Sequence, residues 1–274
     1  MPRPVKIDFV SDVACPWCAI GLAALERAMA DIGNDLQVEL RFQPFELNPD
    51  MGPQGESIAE HLGKKYGLSG EQVAQNGEAL RQRGEALGFR FDLQKRDRIY
   101  NTFDAHRLLH WAGERGAAPQ LALKRTLLQA YHGEGRNVSD HDTLVAIVEA
   151  AGLDAAEARQ VLATGRFAAE VRERERFYQQ RGIRAVPAVI FNDRHLIQGG
   201  QPADVFEQAL RQLSGMAAYE DQPWRASRTD SLLDISTTTA VGMPWCWCRV
   251  AASSLALSRA SPRLSNQLRP YWPS

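Results

Sequence analysis

Apolar and polar residues alternate at the start of the chain, with Val5, Ile7 and Phe9 set against Lys6 and Asp8. That period of two predicts a strand. Cys15-Pro16 then opens a stretch in which Ile20, Ala24, Leu25, Ala28, Met29 and Ile32 share one face at helical spacing, closed by Gly33-Asn34. Val38, Leu40 and Phe42 alternate again. Residues 5–43 are therefore predicted as β-α-β, with the two strands parallel because a crossover of that length joins parallel neighbours.

From about Ser57 to Gly182 the period changes to that of helices. Apolar residues recur at i, i+3 and i+4 over 56–66, 70–87, 103–115, 119–132, 140–151, 154–163 and 167–181. Gly, Asp and Ser punctuate these runs, as in Asn137-Val-Ser-Asp140 ahead of the helix of Leu144 and Ile147. Ala188-Val-Ile-Phe191 and Leu196-Ile197 read as two short strands about an Asn192-Asp193 turn. Gly199-Gly200 precedes a last helix that turns Val205, Phe206, Ala209, Leu210 and Leu213 inward. Beyond Ser214-Gly215 periodicity ceases. Residues 216–274 hold four of the six tryptophans and no lysine, and their Ser, Thr, Pro and Arg content predicts a poorly ordered tail.

Composition narrows the function classes. The chain has 274 residues, 44% hydrophobic and 24% charged, with a formal net charge of −1. Such a chain buries an ample core without disulfides. Its balanced charge argues against nucleic acid or an anionic membrane surface as a partner. No apolar run reaches the ~18 residues a membrane span needs, and the N-terminal segment lacks a signal-peptide pattern, so a cytoplasmic protein is expected.

Four cysteines stand as two close pairs, Cys15/Cys18 and Cys246/Cys248. Cys15 falls where the helix N-cap belongs and Pro16 at N1, where its missing N–H costs nothing. The Cys15 sulfur is thus expected to face free N–H groups and the positive end of the helix dipole. Both favour thiolate over thiol, which predicts a reactive nucleophile. Cys18, one turn further on the same face, is expected to be the more buried thiol, within disulfide reach of Cys15. Zinc would need the remote Cys246/Cys248 pair to complete a thiolate set, so no metal is expected. Pro187, just before Ala188–Phe191, marks a strand start or a turn and is compatible with either peptide isomer. Cys246-Trp-Cys248 reads either as two incidental thiols or as a second, oxidising redox pair that exchanges with Cys15.

This order of elements resembles the DsbA-like branch of the thioredoxin superfamily, and more closely the FrnE-like group of cytoplasmic DsbA-family proteins. The likeness rests on Ser11-Asp-Val-Ala-Cys-Pro-Trp-Cys18, Pro44-Phe-Glu-Leu-Asn-Pro-Asp50, Asn101-Thr-Phe-Asp-Ala-His-Arg-Leu108, Val186-Pro187 and Gly199-Gly-Gln-Pro-Ala-Asp-Val-Phe206. It implies an α/β, thioredoxin-like fold with a large α-helical insertion. Residues 1–50 and 183–215 would form the thioredoxin-like domain. Residues 51–182 would form the insert, with its last helix able to pack on the sheet.

By the same resemblance Cys15 would attack and Cys18 resolve. Pro187 would be a cis-proline facing them, and Val186 would offer backbone hydrogen bonds to an extended substrate. Pro16 and Trp17 would tune the couple. Asn48, Asn101 and His106 would lie in motifs lining the cleft, although His106 reads equally well as an ordinary helix residue. His61, His110, His132, His141 and His195 show no ligand-like spacing and read as structural or surface residues.

Three functions compete. The first is a thiol–disulfide oxidoreductase acting on protein or glutathione mixed disulfides, without a bound cofactor and as a monomer or homodimer. The second is a glutathione-dependent isomerase or transferase of the hydroxychromene-carboxylate or kappa-class type. Those relatives typically carry Ser at the first position and lack the second Cys, so the pair kept here favours dithiol chemistry. The third is a chaperone-like module that binds clients at an apolar cleft around Trp17 and Pro187.

Overall fold

The alternating N-terminal segment forms the central strand β1 (Val5–Ser11) of a mixed sheet. The computed structural model describes residues 4–216 and the backbone of Arg269–Pro270. Strand β2 (Val38–Pro44) pairs parallel with β1, Val5 opposite Val38, after the crossover helix α1 (Pro16–Ile32).

The helical region begins with a two-residue ladder rather than a helix. Glu56–Ser57 (β3) pairs with Arg98–Ile99 (β4), and α2 starts only at Ile58 (Ile58–Tyr66). Two residues are too short to show a period. The helices α3 (Gly70–Ala86), α4 (Phe103–Glu114), α5 (Ala117–Leu128), α6 (His141–Ala150), α7 (Ala155–Thr164) and α8 (Ala168–Gln180) follow. Their starts obey capping chemistry: Ser69 and Gln72 form a reciprocal capping box, and Asp140 and Asp154 accept from the backbone N–H three residues on. α5 does not run to 132 as a regular helix. It ends in a π-turn over Gln129–Gly133 that buries His132.

The chain then returns to the sheet. β5 (Ala188–Phe191) runs antiparallel to β1, and β6 (His195–Gln198) antiparallel to β5. Asn192 and Asp193 take positive φ in the connection, a conformation these residue types tolerate. The last helix α9 (Ala203–Ser214) covers the sheet beside α1, burying Phe206, Ala209 and Leu210. Tyr178 of α8 and Ile183 cover the opposite face, against Val10, Ala188 and Ile190. The backbone of Arg269–Pro270 (β7) pairs with β6. The remaining tail positions, Cys246 and Cys248 among them, lie outside the described residues. No described helix is long and apolar enough to cross a membrane.

Two cores interlock where β1 runs into α1. The sheet core holds Ile7, Phe9, Cys15, Cys18 and Phe206, and takes Leu80, Phe91 and Leu128 from the helical region. The helical core, built on Leu108, Trp111, Leu123, Leu127 and Tyr131, takes Val13 and Ala14 from the β1–α1 loop. The outer edge of β2 meets α5 through a side chain that imitates a strand. Gln120 Nε2 donates to the Phe42 carbonyl at 3.0 Å, and its Oε1 accepts from the Phe42 N–H at 2.9 Å. Gly113 makes room for that amide, since a Cβ there would lie 2.8 Å from Gln120 Nε2.

Removing the amide strands a buried backbone donor and acceptor. Gln120→Leu is expected to lower the unfolding free energy by about 2 kcal/mol in urea titration. An unchanged midpoint would show that the edge of β2 is held by other means.

Candidate active site

The Cys15–Cys18 segment is built as helical chemistry dictates. Cys15 is the N-cap of α1, with φ −83° and ψ 113°, and Pro16 begins the first turn. The Cys18 N–H donates to the Cys15 carbonyl at 3.1 Å. Both thiols are free, and Cys18 lies within hydrogen-bonding reach of Cys15. One expectation is modified. The Cys15 side chain makes no capping bond to the helix N–H groups; its thiol faces the Val186 carbonyl, 3.6 Å away. Sulfur is a weak acceptor, and the carbonyl across the cleft offers the thiol proton a partner.

Accessibility separates the two sulfurs less than their sequence positions suggest: Cys15 is 3% exposed and Cys18 0%. Their surroundings differ more. Burial pushes the Cys18 thiol well above its ordinary pKa, reinforced by Cys15 and opposed by the charge of Lys124 and a hydrogen bond to the Asp12 backbone.

The Val186–Pro187 bond is cis, and Pro187 packs on α1 where Gly21 has no side chain. A Cβ on Gly21 would lie 3.1 Å from Pro187 Cγ. Gly200 likewise lets its loop approach Trp17, since a Cβ there would sit 3.1 Å from the Trp17 carbonyl. Gly199 N–H donates to the Pro187 carbonyl at 2.8 Å, tying the two loops together. Trp17 itself is half-buried, with the Arg83 guanidinium 5.2 Å from its ring.

Asp12, which sequence reasoning passed over, organises the loop beneath the cysteines. Its carboxylate accepts from Ala14 N–H at 3.1 Å and Leu47 N–H at 2.7 Å, and lies 3.5 Å from His106 Nε2. Burial works to raise its pKa, yet these partners, His106 foremost, hold it below the ordinary carboxylate value. His106 is thus joined to the active-site loop. Asn48 and Asn101 are engaged elsewhere. Asn48 Oδ1 receives Lys65 at 2.7 Å and meets His61 Nε2 at 3.0 Å, fastening the 48–50 loop to α2. Asn101 Oδ1 accepts from the Phe103 N–H, and its amide reaches the Pro49 carbonyl.

Of two further buried groups, His132 is expected from the sequence only as a structural or surface residue, and Lys124 draws no expectation. His132 Nε2 lies 2.9 Å from the Val13 carbonyl, and burial pushes its pKa well below the ordinary histidine value, so the ring is neutral. Lys124 of α5 is wholly buried, and burial holds its pKa below the ordinary lysine value against the opposing charges of Cys18, Asp12 and Cys15. Among the described residues no group of three or more His, Cys, Asp or Glu is placed to hold a metal ion.

With this geometry in view, the profile of the DSBA-like thioredoxin domain family matches residues 6–211. The chain belongs to that family. It is 30% identical over 209 residues to the uncharacterised protein YwbO of Bacillus subtilis, covering 75% of this chain and 96% of YwbO. Among solved structures it resembles the probable DsbA oxidoreductase SCO1869 of Streptomyces coelicolor, with a TM-score of 0.70 and 36% identity over 78% of this chain and 92% of that one. A 2-hydroxychromene-2-carboxylate isomerase shares the fold at TM-score 0.59 and 18% identity, over 78% of this chain and 100% of that one. The thioredoxin-like fold with added helices expected from the motifs is the fold of this DSBA-like protein.

Behind His106 lies a second buried charge cluster. Glu46 and Glu175 share the guanidinium of Arg172, each with one buried oxygen that has no hydrogen-bond partner among the described residues. Burial first, and then Glu175, raise the Glu46 pKa from 4.5 to about 7. The folded protein therefore holds this proton more tightly than the unfolded chain. The associated stability is complete below about 4.5 and is lost as pH rises through about 7. His132, held neutral, has the opposite slope below its ordinary pKa but is common to wild type and variant. The melting temperature of Glu46→Gln minus that of wild type is expected to increase from pH 5 to pH 8. A difference independent of pH would contradict the assignment.

Proposed function

We propose that this DSBA-like protein is a thiol–disulfide oxidoreductase in which Cys15 attacks and Cys18 resolves. One observation carries the reading: two free thiols one helical turn apart, the first at the helix N-cap against the Val186 carbonyl. Cys15 attacks a substrate disulfide and forms a mixed disulfide, releasing one substrate thiolate. Cys18 then attacks the Cys15 sulfur, closing the internal disulfide and releasing the second thiolate. The substrate disulfide gains the two electrons that the dithiol loses.

An extended substrate would pair with the backbone of Val186, displacing the Cys15 thiol from its carbonyl, while Pro16, Trp17 and Pro187 line the approach. The substrates proposed are protein disulfides and glutathione mixed disulfides, with glutathione a co-substrate rather than a bound cofactor. As in the FrnE-like group, the compartment proposed is the cytoplasm, where reduction or isomerisation is the favoured direction.

The fold shared with the chromene-carboxylate isomerase supports a second reading, glutathione-dependent isomerisation of a small aromatic substrate. That reading leaves Cys18 without a task.

Cys15→Ser is expected to abolish reduction of a peptide disulfide by dithiol protein, and Cys18→Ala to arrest as a mixed disulfide at Cys15. Mass spectrometry of the trapped species reads both. Full activity in Cys15→Ser would refute the oxidoreductase reading. Glutathione-dependent turnover that survives Cys18→Ala would favour the isomerase.

A further inference from the structure

Lys124 occupies a position that calls for explanation. Lys6, Lys64, Lys65 and Lys95 are exposed, whereas Lys124 is 0% exposed. Among the described residues its Nζ has no hydrogen-bond partner. Lysine is rarely buried without a counter-charge, because desolvating an ammonium costs several kcal/mol. The charged and aromatic groups that act on it are Cys15 and Cys18 at the start of α1, Asp12 in the β1–α1 loop, His132 in the π-turn, and the Phe42 ring of β2, 5.8 Å from Nζ.

The Asp12 carboxylate already serves Ala14, Leu47 and His106. His132 is neutral, and Phe42 offers only a ring face. Cys18 precedes Asp12, and Asp12 precedes Cys15, among the charges that favour the ammonium form of Lys124 against the burial that lowers its pKa. A thiolate at Cys18 is beyond the reach of solvent and stands one turn inside the helix. It needs a positive charge from elsewhere in the fold.

We propose that Lys124, supplied by helix α5, is a positioning residue whose ammonium stabilises the Cys18 thiolate as it closes on the mixed disulfide. This rests on the dithiol reading above. In the step itself the Cys18 thiolate forms a bond to Cys15 Sγ. The bond between Cys15 and the substrate sulfur breaks, and its electron pair leaves with the substrate thiolate. The proton given up by Cys18 ends on the departing substrate thiolate. Lys124 is ammonium before and after.

The test uses the full chain carrying Cys246→Ser and Cys248→Ser, mixed with dithiobis(nitrobenzoate) in a stopped-flow spectrometer. The first release of thionitrobenzoate reports attack by Cys15, and the second reports closure by Cys18. In Lys124→Met the first release is expected to stay within about twofold of wild type. The second is expected to slow about tenfold at pH 7, with its pH dependence displaced upward by about one unit. Lys124→Arg, which keeps the charge, is expected to recover the second phase. An unchanged second release in Lys124→Met, or equal slowing of both phases, would overturn the proposal.

A measurement on protein with Lys124 intact guards against misfolding of the variants. The Lys124 side-chain nitrogen, titrated by NMR, is expected to have different midpoints in the dithiol and disulfide forms, because coupling is reciprocal. Identical midpoints would overturn the proposal. A single release and no second phase in the Lys124-intact protein would instead refute the dithiol reading, and the role of Lys124 with it.

Discussion

A buried carboxylate must be satisfied on several sides at once, and Asp12 meets that demand by joining three parts of the chain. It holds the Ala14 N–H of the loop that delivers Cys15, the Leu47 N–H just past β2, and the ring of His106 on α4. The loop is thereby locked in register with both cores: Val13 and Ala14 sink among the helices, while Cys15 and Cys18 sink against the sheet. His132 supports the same loop from the π-turn through the Val13 carbonyl. The dithiol thus stands at a seam whose two sides cannot shift independently.

That placement explains why the cysteines differ by electrostatics more than by exposure. Cys15 occupies the N-cap position without a side-chain capping bond and faces a carbonyl across the cleft; Cys18 lies among buried groups, with Lys124 as the cation acting upon its sulfur. Close packing of α1 on the loops of Pro187 and Gly200 depends on the missing side chains of Gly21 and Gly200. The helical region therefore does more than cover the sheet. It fastens β2 through Gln120 and brings Lys124 to the dithiol, and these two residues sit one turn apart on α5.

The parts of this arrangement set by local rules were legible in the sequence. Alternation marked β1 and β2, and a short β-rich apolar run marked β5; caps and periodicity marked the helices; a cysteine followed by proline marked the N-cap of α1. Parts set by tertiary contact were not. Gln120 and Lys124 interrupt the stripe of Leu123, Leu127 and Leu128, and a polar pair four residues apart on a helix reads as its solvent face. Both are buried instead, because one has a strand edge and the other a dithiol to serve. Asp12 read only as a loop residue beside the cysteines, since its partners at 47 and 106 are remote in sequence. Asn48 and Asn101, placed at the cleft by motif resemblance, spend their hydrogen bonds on the segments beside them.

The central claim is that Cys15 and Cys18 form a working dithiol couple. Its most direct test is their redox equilibrium in glutathione buffers, with Cys246 and Cys248 changed to serine and the products trapped by acid and mapped by mass spectrometry. The account predicts a single two-electron transition to a disulfide between Cys15 and Cys18. A chain that stops at glutathione on Cys15, or that forms no internal disulfide across the whole range of buffers, would contradict it.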